Sequence, residues 1–242
     1  MRYALISDIH GNLEALDSVL AALSKESIDE YLCIGDVIGY GANPVECVKT
    51  VRSLGPKVLV AGNHEWGVTG LFGLENFTDL AREAVLWTRA KIGRDESDYL
   101  KTFRLVHEEK DCTLVHGSLA SPEKFYYIFT ADDAYETIRL MKNHLCFVGH
   151  THRAGIFYLE GDAVRGSDAW KIKVDRESKY VVNIGSVGQP RDRDPRSAFA
   201  IYDTDKDVVE IRRVGYDIRT AQEKILKTGL PEQLAFRLSE GK

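Results

Sequence analysis

Apolar positions along the first hundred residues switch between two rhythms. A short apolar run at residues 2 to 7 is followed by Leu13, Leu16, Leu20 and Leu23 at helical spacing, which predicts a strand and then a helix with one buried side. Tyr31-Leu32-Cys33-Ile34 reads as the next strand. Asn43 and Pro44 then supply an N-cap and a proline at the first helical position for a helix to about Leu54. Val58-Leu59-Val60 is a third strand. Strands alternating with helices through short connections predict a parallel arrangement, and such sheets bind ligands beyond the carboxyl ends of their strands.

The rhythm breaks from Trp66 to about Arg104, where Phe72, Phe77 and Trp87 are scattered and the best periodicity is helical, around Asp79 to Ala90. This stretch is expected to be a helical insertion over the crevice. Strands resume at Thr113-Leu114-Val115 and Leu145-Cys146-Phe147-Val148, with a helical pattern around Asp132 to Met141 between them. The second half is richer in strands, with candidates at 155 to 159, 171 to 174, 180 to 184, 198 to 203 and 207 to 213 before a helix near 219 to 228. Short turns between them predict an antiparallel contribution. A single domain over residues 1–242 that carries the insertion accounts for the length, which is near the top of what one core serves.

Composition adds limits. An apolar fraction of 44% and a charged fraction of 29% are those of an ordinary globular chain. The formal net charge of -5 leaves no basic footprint for duplex nucleic acid, which argues against a DNA-processing nuclease. Cys33, Cys47, Cys112 and Cys146 form no CxxC pair, and three of them lie in apolar runs, as expected of core thiols in a reducing compartment. No basic-then-apolar leader follows Met1 and no apolar run reaches about 18 residues, so the expected location is the cytoplasm, without a membrane partner.

Five of the seven histidines fall in short motifs at strand ends: Asp8-Ile9-His10, Gly62-Asn63-His64-Glu65, His116-Gly117 and Gly149-His150-Thr151-His152, joined by Gly35-Asp36. In Asp8-Ile9-His10 a period of two would send both side chains to one side of an extended segment, and His150-Thr151-His152 repeats the spacing. Each motif alone has a plain reading: a capped strand end, a solvated turn, an asparagine tolerant of positive φ. Their joint occurrence decides for metal ligation. Imidazole and carboxylate suit a borderline first-row ion, and seven such residues suffice for two ions sharing one carboxylate. Two ions about 3.5 to 4 Å apart fit phosphate ester hydrolysis. The leaving oxygen then needs a proton, and His64, next to Asn63, is placed to act as general acid. Glu65 reads as a local orienting or capping carboxylate.

These residues resemble the calcineurin-like metallophosphoesterase superfamily, whose motifs D-x-H, G-D, G-N-H-E, H and G-H-x-H occur in the same order from Asp8 to His152. Residues 35 to 44 and 183 to 192 resemble its small bacterial and archaeal branch, which includes phosphodiesterases and diadenosine tetraphosphatase-like proteins. The resemblance implies an α/β fold, a four-layer α/β/β/α sandwich around two mixed sheets. It implies that Asp8, His10 and His152 bind one metal, that Asn63, His116 and His150 bind another, and that Asp36 bridges them. The implied cofactors are two divalent ions, manganese foremost, with Fe, Zn or Ni as the alternatives. The implied activity is that of a metal-dependent phosphoric ester hydrolase using a metal-activated water or hydroxide. Its partner is a small phosphorylated substrate: a phosphodiester foremost, otherwise a phosphomonoester or dinucleoside polyphosphate.

One departure stands out. Protein phosphatases of this superfamily carry an acidic residue three positions after the bridging aspartate, supporting the catalytic histidine, and then an arginine that grips phosphate; here those positions are Gly39 and Tyr40. That points away from protein phosphatases and leaves His64 in need of another support. Arg191 or Arg193 can replace the clamp, since guanidinium matches phosphate geometry, against a solvated turn around Pro190 and Pro195. Gly185 and Ser186 either donate to a substrate phosphate or only make a tight turn. Phe125, Tyr126, Tyr127 and Phe129 read as core, with an apolar wall for an aryl or nucleobase leaving group as the other option. The competing function class is a non-catalytic metal-site scaffold or protein-interaction module of the same fold. Such members have lost key histidines, whereas every motif histidine is present here.

Overall fold

In the first strand, β1 (Arg2–Ile6), Ala4 and Ile6 face one way and Tyr3 and Leu5 the other, and all four are buried. A strand apolar on both faces must be covered on both. The computed structural model, which describes residues 1–242, does this with four layers. Following β1 come α1 (Leu13–Leu23), β2 (Glu30–Cys33), α2 (Pro44–Leu54) and β3 (Val58–Leu59), and the three strands run parallel as their order predicts. The helices that follow are α3 (Asn63–Thr69), α4 (Asp79–Lys91) and α5 (Arg94–Leu100). β4 (Val106–Glu108), β5 (Thr113–Val115), α6 (Ala131–Leu140) and β6 (Leu145–Val148) come next. The remainder is β7 (Gly155–Glu160), β8 (Ala163–Ser167), β9 (Lys171–Lys173), β10 (Tyr180–Asn183), β11 (Ser197–Asp203), β12 (Val208–Val214), α7 (Ile218–Lys227) and α8 (Gln233–Glu240).

Two six-stranded mixed sheets result, in the orders β3-β2-β1-β11-β12-β9 and β4-β5-β6-β10-β7-β8. The antiparallel contribution expected of the second half is β11 beside β1, β12 beside β11, and β7 beside β10. Three apolar clusters mark the three spaces between the four layers. Ile6, Leu16, Val48, Val85, Phe199 and Ile225 belong to the space between the first sheet and its helices. Leu5, Leu32, Phe147, Val182 and Tyr202 lie between the sheets, and Ala134, Ile138, Cys146 and Val181 lie between α6 and the second sheet. All four cysteines are free and buried, and burial pushes the thiols of Cys33 and Cys112 up to about 12.

Several elements carry too little pattern to be read in advance. β8 is a mostly exposed edge strand paired only to β7, and α5 and the three-residue β4 are short. α8 follows the helix expected to close the chain, and buries Leu234, Ala235 and Leu238. Asn43 sits at the N-cap of α2 as expected, but its side chain makes no capping bond; Pro44 at the first turn does the work of starting the helix. The stretch expected to insert over the crevice is helical, and its Val68, Phe77, Ala81, Ala84 and Val85 join the helix-side core of the first sheet. Its Phe77 packs against the His64 ring, and its Trp66 and Phe72 pack against Phe125. No helix is long and apolar enough to cross a membrane.

Candidate metal centre

The carboxyl ends of β1, β2 and β3 in one sheet and of β5 and β6 in the other point to a common edge of the sandwich, and every expected ligand follows one of these strands. The local conformation is not the extended one that the spacing suggests. Asp8, His10, Asp36, His150 and His152 all have φ between 51° and 65°, the left-handed region, which costs of order 1–3 kcal/mol per residue. Alternating left-handed residues, with buried Ile9 between two of them, curl the chain so that Asp8 and His10 converge. The loops hold one another there: Asp8 N–H donates to the Gly35 carbonyl and His10 N–H to the Asp36 carbonyl, each at 2.9 Å, and Gly188 N–H donates to the Asp8 carbonyl at 2.9 Å. Gly149 has its place in this knot because a Cβ there would overlap Ser7 Oγ and Asp8 Oδ2.

Inside this frame the polar atoms are sorted. The Nδ1 atoms of His10, His116 and His152 face the backbone carbonyls of Ile38, Ile34 and Gln189 at 3.0, 2.7 and 2.6 Å. Each Nδ1 must therefore carry its hydrogen, which leaves each Nε2 aimed at the centre. The carboxylates are divided the same way. Asp8 Oδ2 accepts from Ser7 Oγ and His150 N–H, and Asp36 Oδ1 accepts from His64 N–H. Their other oxygens face inward: Asp8 Oδ1 is 3.2 Å from His152 Nε2, and Asp36 Oδ2 is 3.2 Å from His116 Nε2 and 3.6 Å from His10 Nε2. Asp8, His10 and His152 make one group able to hold an ion and Asp36, His116 and His150 another, with Asp36 also grouped with His10 and His64.

These residues fit a metal pair. His10 Nε2 and His152 Nε2 are 3.0 Å apart with both Nδ1 hydrogens already committed, so two lone pairs oppose each other across the gap. Asp8 Oδ1, Asn63 Oδ1 and His116 Nε2 are buried without a partner, a state that costs roughly 1–3 kcal/mol per group. A cation at their focus relieves all of this, and imidazole, carboxylate and amide oxygen are the donors a borderline divalent ion takes. Protonation follows the same logic. Burial works against charge on Asp8 and Asp36, but the surrounding histidines, His152 and His116 above all for the first and His116 and His64 for the second, hold both carboxyls well below the usual range. Burial also lowers three of the histidines: His64 and His152 fall to about 3, and His150 lies well below its usual value. His116 is the exception, because Asp36 and Asp8 overcome burial and push it up to about 10. Two buried carboxylates need a positive charge; without a metal, the His116 proton is the one available.

Glu65 and His64 occupy one turn of α3 and do different work. Glu65 is fully buried and accepts from the N–H groups of Asp36 (2.7 Å), Val37 (2.8 Å) and Gly62 (2.8 Å), pinning the loop that presents Asp36. Burial, with Asp36 beside it, pushes its carboxyl up to about 7. His64 has the missing acidic support replaced by packing. Its ring lies 4.5 Å from Tyr40, 4.8 Å from His10 and 5.4 Å from Phe77, and its buried Nδ1 has no partner. Gly39, at φ +91°, lies directly against that ring, so that even a Cβ would overlap Nδ1. The space an acidic side chain would occupy is filled by the imidazole itself.

Farther out the expectations divide. Ser186 and Gly185 are engaged within the fold: the Ser186 hydroxyl donates to the Asp8 carbonyl at 2.7 Å and accepts from Gln189 N–H, and Gly185 N–H donates to Asn183 Oδ1. They brace the loop that carries Asp8, and are not free to meet a substrate. Arg191 reaches the mouth, its guanidinium 5.4 Å from the Tyr40 ring centre, whereas Arg193 is exposed and its backbone N–H is tied to the Gly241 carbonyl. The core reading of the aromatic cluster holds for Phe125 alone, which packs on Trp66 and Phe72. Tyr126, Tyr127 and Phe129 are about half exposed (50%, 47% and 49%), because this strip runs along the outside of the crevice before α6 with no further layer over it. Tyr127 stacks on His150 at 3.9 Å and 10°, and Phe129 stacks on Tyr127 at 5.2 Å. Asn183 went unmarked as a site residue in the sequence, yet its amide holds Gly149 and Thr151 in the last ligand loop; the only signal was its place at the end of a strand.

Comparison with known proteins agrees with this architecture. Residues 1–207 match the calcineurin-like phosphoesterase superfamily domain. An uncharacterized protein of Methanocaldococcus jannaschii is 40% identical over 99% of this chain and 98% of its own. A metallophosphoesterase from Sphaerobacter thermophilus has a solved structure that superposes with a TM-score of 0.87 at 36% identity, covering 100% of both chains. A symmetrical bis(5'-nucleosyl)-tetraphosphatase of Serratia proteamaculans is 38% identical over 63 residues, which is 25% of this chain and 22% of that one.

Proposed function

The chain belongs to the calcineurin-like phosphoesterase superfamily, and from that premise we propose that it is a dinuclear-metal hydrolase of small phosphate esters. The observation that carries this reading is the pair of opposed Nε2 lone pairs of His10 and His152, set against two inward carboxylate oxygens, one of which, on Asp36, reaches both ligand groups. Asp8, His10 and His152 would hold one ion, Asn63, His116 and His150 the other, and Asp36 both, with manganese the first candidate. When bound, the two ions supply Lewis-acid chemistry, lowering the pKa of a coordinated water and offsetting charge on phosphoryl oxygens.

The chain's own residues do the rest. The Nδ1-to-carbonyl bonds of three histidines keep the ligand directions set before substrate arrives, so little reorganisation accompanies the reaction. His64 is fixed by Tyr40, Phe77 and His10 at the edge of the same group. Burial keeps its ring neutral at ordinary pH, so to act as the general acid it must first take up a proton. An anionic substrate alongside favours its protonation. A phosphodiester is the preferred substrate, and the partial match to a tetraphosphatase supports a dinucleoside polyphosphate as the other option. The complete ligand set argues against a non-catalytic scaffold. Four free cysteines favour a reducing, cytoplasmic setting.

The test is hydrolysis of bis(p-nitrophenyl) phosphate by the manganese-loaded protein. Asp36→Asn and His150→Ala are expected to lower kcat/KM by at least about 100-fold and to reduce the bound metal below two ions per chain. A folded, metal-loaded sample inert toward phosphate mono-, di- and anhydride esters would overturn the reading.

A further inference from the structure

Many arginines on this acidic chain pair with an Asp or Glu side chain, among them Arg52 on Asp95, Arg176 on Asp207, Arg196 on Asp194 and Arg212 on Glu26. Two at the mouth of the crevice do not. The Arg191 guanidinium bonds the neutral amide oxygen of Gln189 at 2.7 Å, and its Nε is buried with no partner. Arg237, on α8, gives its Nε hydrogen to the main-chain oxygen of Lys242 at 2.8 Å. Both converge on one ring: the guanidinium carbons lie 5.4 Å (Arg191) and 6.0 Å (Arg237) from the centre of Tyr40. That ring is itself 4.5 Å from His64 and 4.7 Å from His10. The two cations are thus one aromatic ring away from the metal centre.

Their meeting is built into the fold. α8 is anchored by Leu234, Ala235 and Leu238, and just past its end the Gly241 carbonyl accepts from Arg193 N–H at 2.9 Å, which ties the helix bearing Arg237 to the loop bearing Arg191. The same loop is continuous with the metal centre, since the Gln189 carbonyl orients His152 and Arg191 N–H donates to the His152 carbonyl. Arg153 adds a third, exposed cation, its Nε donating to the Arg191 carbonyl at 3.2 Å. Like charges gathered in a half-buried place without an Asp or Glu side chain to pair with raise the free energy of the empty protein, and an anion reverses the sign. Burial and Arg191 together lower the pKa of Arg237, in keeping with that crowding.

We propose that Arg191 and Arg237, gathered around Tyr40, form a binding site for a second anionic group of the substrate. This moves the substrate choice from a simple phosphodiester toward a phosphoanhydride, or an ester carrying a further phosphate beyond the one that is cleaved. The anion site stands on the geometry of the two arginines, while the substrate assignment rests on the phosphoesterase reading above. Arg237 lies beyond residue 207, where the family match ends, so half of the clamp comes from outside the matched domain.

Two measurements separate the claims. Inorganic pyrophosphate is titrated by calorimetry into the full-length, chelator-treated protein. Arg191→Gln and Arg237→Gln are each expected to weaken its binding about tenfold, and Arg219→Gln, an exposed arginine paired with Glu223, not at all. Thermal melting checks that each variant is folded, and Arg237→Lys, which keeps the charge but loses the planar fork, is expected to fall between. Equal binding by folded wild type, Arg191→Gln and Arg237→Gln overturns the clamp. In the manganese-loaded enzyme, Arg237→Gln is expected to lower the ratio of kcat/KM for a dinucleoside polyphosphate to that for bis(p-nitrophenyl) phosphate about tenfold. An unchanged ratio overturns the substrate assignment. A protein that binds pyrophosphate through these arginines but hydrolyses nothing refutes the phosphoesterase reading alone. One that hydrolyses esters while its variants bind pyrophosphate normally refutes the clamp alone.

Discussion

The floor of the crevice and its mouth are made in opposite ways. On the floor, buried Asp8, His10, Asp36, His116 and His152 each have one polar atom fastened to the fold or to a neighbour and another left facing the centre. At the mouth, Tyr127, Phe129 and Arg153 are exposed, and Arg191 and Arg237 pair with no Asp or Glu side chain. The floor stores strain in left-handed residues and resists any change of volume; the mouth consists of long side chains on surface segments. The difference divides labour. Under the proposed function, the floor sets which chemistry is possible, and the mouth sets which molecule undergoes it.

Gly39→Asp is the sharpest way to test that division, because it puts back the acidic residue that protein phosphatases of the superfamily carry at this position. If the floor is as tightly filled as its packing indicates, the new side chain displaces His64 and strains a backbone held at φ +91°. The expected outcome is a fall in kcat of about 100-fold or more, with a loss of about 1–3 kcal/mol in stability measured by denaturant unfolding. Activity equal to or above wild type would mean that the floor is soft enough to accept a different support for His64.

A second probe reads the charge balance of the floor without substrate. His116 in the metal-free protein is raised above its ordinary 6.5 to about 10 by Asp36 and Asp8. A raised histidine contributes stability that is fully present below about 6.5 and is lost as pH rises through about 10. The metal-free Tm should therefore drop across that window, by an amount worth a few kcal/mol at most. Saturating manganese, which replaces the proton, should flatten the dependence, and His116→Gln should remove most of it. A metal-free Tm independent of pH over this range would show that Asp8 and Asp36 are not both charged.

The smallest effect belongs to the mouth. Tyr127→Ala removes the ring stacked on His150, which should change stability by no more than about 0.5–1.5 kcal/mol. Removal of manganese by a chelator, followed by stopped-flow, should quicken a few-fold because one face of a ligand is uncovered. A loss of metal binding as large as that of Asp36→Asn would erase the distinction between floor and mouth.

The candidate ligand set was legible because each motif is local: Asp8 and His10, or His150 and His152, lie two residues apart, and the strands before them announce themselves by continuous apolar runs. How they converge was not legible, since alternate left-handed residues and an extended strand share the same spacing. Whether Ser186 donates to substrate or only makes a tight turn was open because nothing in a sequence tells which carbonyl a hydroxyl will find; here it finds that of Asp8, 178 positions away. The aromatic cluster at 125 to 129 reads as core by composition alone, and only the absence of a layer above it leaves Tyr126, Tyr127 and Phe129 half exposed.

The chain by itself determined the alternation of strands and helices, the seven residues of the floor and the kind of ion they suit, because periodicity and donor chemistry act over a few residues. The tertiary structure decided what surrounds them: that Tyr40 and Phe77 stand in for a carboxylate beside His64, that Glu65 pins the Asp36 loop, and that Arg237 arrives beside Arg191 from the last helix. These contacts join segments tens to hundreds of residues apart, and only the packing of the layers brings them within van der Waals or hydrogen-bond range.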